Sequence, residues 1–306
     1  MASLRRRVAP SPLPLALLLG AAALVLIPCA ARGQAVAELD EPAPIEELME
    51  EDPFGEVDAG EGEDSGDETA EEAGGATATR VRPPPSRNRL LPIDMKVDRK
   101  TPIPPASPFH MGREIAQTMH YTGAPWLVRE SRQREEDCRQ MIEALGVKEG
   151  QTVCDLGAGN GFYTLELARL VGPEGLVYAV DIQPQMLRML SRRAAQEGLT
   201  NIRLVLGSPV DPRLPDGVVD LVLCVDVYHE FSHPEPMLAR IRESLSPGGR
   251  VALVEFRGED PAVPIKPLHK MTKAQVRAEL EPAGYRLAGE FDRLPWQHLL
   301  FFSAAE

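Results

Sequence analysis

The residues best placed for chemistry form the run Asp155-Leu156-Gly157-Ala158-Gly159-Asn160-Gly161. It follows a short apolar stretch, Thr152 to Leu156, and precedes a helical pattern from Tyr163 to Val171. Glycines between a strand and a helix let the backbone turn sharply and let a ligand approach the main chain. Asp181 comes 20 residues after Gly161, at the tip of a second strand. A carboxylate there accepts two hydrogen bonds from ribose hydroxyls. A dinucleotide-binding dehydrogenase would also carry a glycine loop and a ribose acid. Two features argue against one: the third glycine comes two residues after the second, and Asp155 stands two residues before the first. That acid would repel a pyrophosphate and suits a ligand with a cationic amino group.

A second cluster, Asp226-Val227-Tyr228-His229-Glu230-Phe231, ends a fourth strand. Asp226, Tyr228, His229 and Glu230 together at a strand tip are more than a core needs. His229 titrates near neutrality and suits a general base, with Glu230, Tyr228 or Asp226 as orienters. The competing reading is that His229 caps the next helix or bonds within the fold. His229-Glu230-Phe231-Ser232-His233 also matches H-E-x-x-H, a zinc-protease signature. That mechanism needs both histidines on one face of a helix. Here the motif follows a strand directly and Pro234 follows the second histidine, which disfavours such a helix. No metal site is expected.

The elements that must position these groups alternate. Helical spacing covers Pro125 to Val147, Tyr163 to Val171, Gln185 to Gly198 and Pro236 to Leu245. Strand patterns cover Thr152 to Leu156, Leu176 to Asp181, Ile202 to Leu206, Val218 to Val225 and Gly249 to Phe256. Thr272 opens a further helix with Gln275 in a capping box. Tyr285 to Phe291 and Trp296 to Phe302 read as an antiparallel pair. Such alternation means a mostly parallel sheet with helices on both faces, an α/β fold.

The chain has 306 residues and a formal net charge of -13, unevenly spread. Glu38 to Glu72 holds 17 acidic residues and no Lys or Arg, whereas from Ala73 onward 29 basic and 29 acidic residues balance. A neutral domain has no basic footprint for phosphate backbones, so no nucleic acid partner is expected. Residues 1–35 read as a signal peptide or N-terminal anchor: Arg5, Arg6 and Arg7 precede an apolar run of 15 residues, Leu13 to Ile27. Residues 36–79 form an acidic low-complexity linker with too few apolar groups to order itself. Residues 80–107 form a Pro/Arg-rich arm, and 108–306 the folded domain. The linker reads either as a tether to a membrane through the N-terminus or as a solvated tail without a specific partner. Four cysteines, Cys29 among them, are too few for a disulfide scaffold.

From about Gly123 onward the chain resembles the class I S-adenosylmethionine-dependent methyltransferases, in particular the branch with the quinone-biosynthesis enzymes. Val153 to Tyr163 matches their first motif and Val177 to Asp181 their second strand with its acid. Leu214-Pro215 with Val219 to Val222 matches the entry to the fourth strand, and Leu245 to Val251 the turn into the fifth. The resemblance implies a Rossmann-like, doubly wound seven-stranded sheet, mostly parallel with an antiparallel last strand. It implies S-adenosyl-L-methionine as cofactor and a small-molecule acceptor. Asp155, Gly157, Gly159 and Gly161 would hold its methionine part, Asp181 its ribose, and Ile182 and Met186 its adenine. The family's Gly-Asp after the third strand is here Gly207-Ser208, which leaves Ser208 or Asp211 to meet the adenine amine.

The resemblance sets His229 beside the cofactor sulfur, the place for a base. His269 and Lys270 either cover substrate or hold a loop, and His298 reads as a packing residue. Trp126 and Arg129 form part of a lid or pack on a helix, and Cys154 and Cys224 are inert core. The function expected is methyl transfer to an unidentified acceptor. The alternative is an exported binding module that keeps the fold, since a basic n-region followed by an apolar run predicts export or membrane anchoring. The intact Asp155, glycine loop and Asp181 favour the enzyme. The sequence leaves the oligomeric state open.

Overall fold

A computed structural model of the chain describes residues 90–95 and 103–305. The segments 1–35 and 36–79 and the remainder of the arm lie outside the described residues. Among the described residues, no helix is long and apolar enough to cross a membrane.

The strands are β1 (Ile93–Asp94), β2 (Phe109–His110), β3 (Arg113–Glu114), β4 (Thr152–Leu156), β5 (Leu176–Asp181) and β6 (Ile202–Leu206). They continue with β7 (Val219–Val225), β8 (Leu245–Arg257), β9 (Lys270–Met271), β10 (Tyr285–Phe291) and β11 (Gln297–Ala304). The helices are α1 (Arg132–Glu136), α2 (Cys138–Leu145), α3 (Phe162–Val171), α4 (Pro184–Glu197), α5 (Pro234–Ser244) and α6 (Lys273–Leu280). The main sheet runs β1-β6-β5-β4-β7-β8-β11-β10, with β9 paired to β8 beside this path. Strands β4 to β8 are mutually parallel, and β11 is antiparallel to both β8 and β10. The expected seven-stranded frame with an antiparallel last strand is thus present, extended by the two-residue strands β1 and β9. β1 belongs to the arm and pairs in parallel with β6.

Alternate residues of the central strands feed two cores, one on each face. Val153, Leu221, Leu223, Ala252 and Val254 pack with Met141, Leu165 and Leu190 of α2, α3 and α4. Cys154, Val222, Cys224, Val251 and Leu253 pack with Leu238, Ile241 and Val276 of α5 and α6. Burial on both faces accounts for the nearly continuous apolar runs of β4, broken by Asp155, and β7, broken by Asp220. Cys154 and Cys224 are buried free thiols, and burial pushes both thiols up, as inert core requires.

The helix expected from Pro125 to Val147 is broken in three. A 3-10 helix spans Tyr121–Val128 and encloses Pro125, and α1 and α2 follow. Between α1 and α2, Asp137 adopts a left-handed conformation, φ 49°, and its side chain accepts from the Gln140 N–H at 3.3 Å. Asp tolerates this conformation because its short carboxylate caps nearby backbone donors. The break turns α1 so that the Arg132 and Glu136 side chains point inward. The capping box at Thr272 and Gln275 is present as expected.

Candidate active site

The parallel strands β4, β5, β6 and β7 deliver their carboxyl ends to one cavity of about 540 Å³. Gly157 and Gly159 line it with φ of 78° and 53°. A Cβ on Gly157 would sit 2.5 Å from Val227 Cγ2, and one on Gly159 2.6 Å from Leu127 Cδ1. Only glycine meets both demands, a left-handed backbone and a close neighbour. Asp181 sits beside the loop: Oδ2 accepts the Gly159 N–H at 2.9 Å and Oδ1 the Gln183 N–H at 2.8 Å. Each oxygen keeps a further lone pair for a ligand. Ile182, Met186 and Ser208 complete this wall. Asp211, the other candidate for the adenine contact, accepts the Arg213 N–H instead and does not line the cavity.

Two residues expected here lie behind the loop. Asp155 is buried, and its carboxylate accepts the Thr164 hydroxyl at 2.6 Å. Burial pushes its carboxyl up to about 6, against that hydrogen bond. It shapes the loop from beneath and does not line the cavity. Gly161 opens α3, where a Cβ would meet Leu190 at 2.6 Å, so its role is close packing.

One wall of the cavity is charged. Asp226 takes φ 51°, and its Oδ2 accepts from Gln297 Nε2 at 2.7 Å while Oδ1 is buried without a partner. Burial, reinforced by Glu136, holds the Asp226 carboxyl well above the carboxylate range. Arg132 donates to Glu136 at 2.7 Å, and both line the cavity. S-adenosyl-L-methionine carries an ammonium and a sulfonium. The orphan Asp226 oxygen, beside a glycine cradle and a ribose-competent acid, fits it, because a bound cation would favour the ionised form of that carboxyl.

The other end holds His229 on a one-turn 3-10 helix, Tyr228–Glu230. Its ring is buried, with Nδ1 2.6 Å from Glu255 Oε2 of β8 and Nε2 3.0 Å from His269 Nδ1. Glu255 also accepts the His229 N–H, at 3.3 Å. Burial works against protonation of His229, but the Glu255 carboxylate outweighs it and raises the ring above the ordinary histidine value. Glu230 lines the cavity 4.0 Å from His229 Nε2 and 3.8 Å from His269 Nδ1. Burial pushes its carboxyl up to about 7, with His229 opposing. These three side chains could hold a cation.

Tyr228 is a correction. Its hydroxyl donates to Glu279 at 2.9 Å, in a buried cluster where Arg113 also pairs with Glu279. It faces away from the cavity and orients nothing there. The zinc-protease pattern does not form either. His233 precedes α5 with its Nε2 2.9 Å from the Pro104 carbonyl, so the two histidines share no helix face. Lys270 donates to the Asp260 and Val263 carbonyls and holds a loop, and His298 is buried against the Met271 carbonyl.

Sequence reasoning missed the orienter. Glu255 is a lone acid in the apolar stretch Val251 to Phe256, a pattern that signals a buried partner. Of the segment 113–128 that covers the cavity, sequence reasoning named only Trp126, beside Arg129, as part of a lid. Arg113 and Ala116 donate to the His229 carbonyl, Met119 N–H to Glu230, and Tyr121 N–H to Gln183. Met119, Trp126 and Leu127 line the cavity, with Arg129 stacked on Trp126 at 3.7 Å.

Residues 147–290 match the family described as methyltransferase domain. The ubiquinone/menaquinone biosynthesis C-methyltransferase UbiE of Cupriavidus taiwanensis is 31% identical over 149 residues, 49% of this chain and 59% of that protein. Its counterpart from Stutzerimonas stutzeri is 31% identical over 119 residues, 39% of this chain and 46% of that protein. The chain thus spans about half the length of these relatives. The crystal structure of a SAM-dependent methyltransferase from Aquifex aeolicus superposes with a TM-score of 0.57 at 26% identity, covering 60% of this chain and 98% of that one. The domain is a class I S-adenosylmethionine-dependent methyltransferase domain resembling these C-methyltransferases, with S-adenosyl-L-methionine as its cofactor.

Proposed function

We propose that this methyltransferase moves the methyl group of S-adenosyl-L-methionine onto a ring carbon of a small hydroxylated aromatic acceptor of quinol type. One observation carries the reading: the glycine loop and His229, held from behind by Glu255, face the same cavity. The bound cofactor supplies an electrophilic methyl on sulfur. The chain has to align a nucleophile behind it, which is worth roughly 7–11 kcal/mol of barrier. Phe231, Met237, Phe256, Pro264 and Ile265 give the acceptor end an apolar lining suited to a flat ring. Glu255 holds His229 through Nδ1, so Nε2 presents the basic lone pair. Taking the acceptor hydroxyl proton there leaves a phenolate whose ring carbon is nucleophilic. That carbon would form its bond to the methyl as the sulfur–methyl bond breaks, and would then release its own proton to solvent to restore the aromatic ring. Carbon as the target is supported by the C-methyl transfer named for the relatives.

The test is turnover with methyl-labelled cofactor and quinol acceptors. His229→Ala is expected to lower kcat about 10²-fold, the low end of general-base effects. Cofactor affinity should be unchanged. Full turnover in the variant would remove His229 from the reaction, and label found on oxygen would remove carbon as the target.

A further inference from the structure

We propose that His229 Nε2, His269 Nδ1 and Glu230 form a binding site for a divalent transition-metal ion such as Zn2+. The three ligand atoms come from two turns, His229 and Glu230 after β7 and His269 before β9, and lie within 4.8 Å of one another. Two ligands at about 2.0–2.1 Å from zinc stand roughly 3–3.4 Å apart. The two imidazole nitrogens already meet that span, at 3.0 Å. The Glu230 oxygen, 3.8 Å from His269 and 4.0 Å from His229, is roughly half an ångström beyond it.

Three further observations point to a cation. Glu255, fully buried in β8, grips His229 Nδ1 at 2.6 Å. This is the carboxylate–histidine pairing that fixes the ring of a metal-bound imidazole with its other nitrogen forward. The donor set of two nitrogens and one oxygen suits zinc, iron(II) or cobalt(II) better than magnesium or calcium. The site also opens on the cavity, so three protein ligands would leave a position for water or an acceptor oxygen. The pattern written in the sequence is thereby re-drawn: His269, 40 residues downstream, stands where H-E-x-x-H would have used His233.

The ion competes with the proton for the lone pair on His229 Nε2. Zinc should therefore inhibit any turnover in which His229 is the base, and in this respect alone the inference rests on the function proposed above. The alternative is that the two rings merely share a hydrogen bond.

The experiment uses the full chain, stripped with a chelator and without S-adenosyl-L-methionine. Zinc binding is read by calorimetry, and cobalt(II) binding by its visible absorption. One ion per chain is expected, weakened about tenfold or more by His269→Ala and by Glu230→Gln. His233→Ala should leave it unchanged. The cofactor affinity of each variant reports that it is folded. No stoichiometric ion on the folded chain, or binding indifferent to His269→Ala, would overturn the site. Tight zinc binding with zinc-insensitive turnover would keep the site and remove the base. Turnover lost in His229→Ala without metal binding would do the reverse.

Discussion

The two ends of the cavity are built in opposite ways. The cofactor end is made largely of main chain: Gly157, Gly159, and an Asp181 carboxylate fixed by backbone N–H groups. Its parts come from two successive strand tips, within about 30 residues of sequence. The acceptor end is made of side chains: His229 after β7, Glu255 inside β8, His269 before β9, and Met119 from the covering segment. They meet only because β7 and β8 are neighbours and the chain returns over them. A site of backbone turns is bound to glycines and tolerates little. A site of side chains can trade one donor for another without disturbing the fold. In the function proposed above, the first end holds the cofactor and the second the acceptor.

This contrast sets an order of effects. The largest belongs to Gly157→Ala, which demands φ of 78° from an L-residue and sets a methyl 2.5 Å from Val227. A left-handed non-glycine residue alone costs roughly 1–2 kcal/mol. With the clash added, affinity for S-adenosyl-L-methionine should fall about 100-fold, measured by calorimetry on protein shown to be folded. An unaltered affinity would mean that the cofactor does not use this loop.

Next comes Glu255→Gln, which keeps shape but weakens the grip on His229. Turnover should drop about 10–100-fold, the usual cost of removing a partner that orients a working side chain. The dissociation constant for the cofactor should not move. If cofactor binding fell with kcat, the two ends would not be separable.

Asp155 probes the floor beneath the loop. Its folded pKa of about 6 lies above the unfolded value of 3.8, so folding favours the protonated form. The stability it contributes is full below the unfolded value and lost as pH rises through the folded one. At 1.36 kcal/mol per pH unit, wild type should lose roughly 3 kcal/mol between about pH 4 and pH 7 relative to Asp155→Asn. Denaturant unfolding across that range measures the difference, and parallel curves would show that burial does not perturb this acid.

The smallest effect sharpens the correction at Tyr228. Tyr228→Phe removes a hydrogen bond to Glu279 outside the cavity, at a cost of about 1 kcal/mol of stability. Turnover should stay within about twofold, because the hydroxyl touches nothing in the cavity. A tenfold loss of kcat would return Tyr228 to the site.

What was legible in the sequence follows the same division. Nearly continuous apolar runs placed the strands β4 to β8, because burial on two faces selects that pattern, and the tight link between the last two runs placed the terminal hairpin. The glycine spacing and Asp181 were legible as neighbours, because a turn and the next strand tip are local in sequence. The break at Asp137 was hidden, since an apolar stripe at helical spacing runs through it and only the side-chain cap interrupts it. Asp155 was read as a ligand group because its position matches the family, while its bond to Thr164 turns it inward. Glu255 stood in plain view as an acid in a buried strand, yet its partner lies 26 residues away and depends on strand order. Tyr228 and His229 are adjacent in sequence but point to opposite sides of one turn, which no local pattern reveals.

The most direct measurement is calorimetric titration of the full chain with S-adenosyl-L-methionine and with its demethylated product, alongside Asp181→Ala. Micromolar one-site binding of both, lost in the variant, is the result expected of a cofactor held between the glycine loop and the β5 acid. A folded chain that binds neither, or binds both equally well without Asp181, would contradict the assignment.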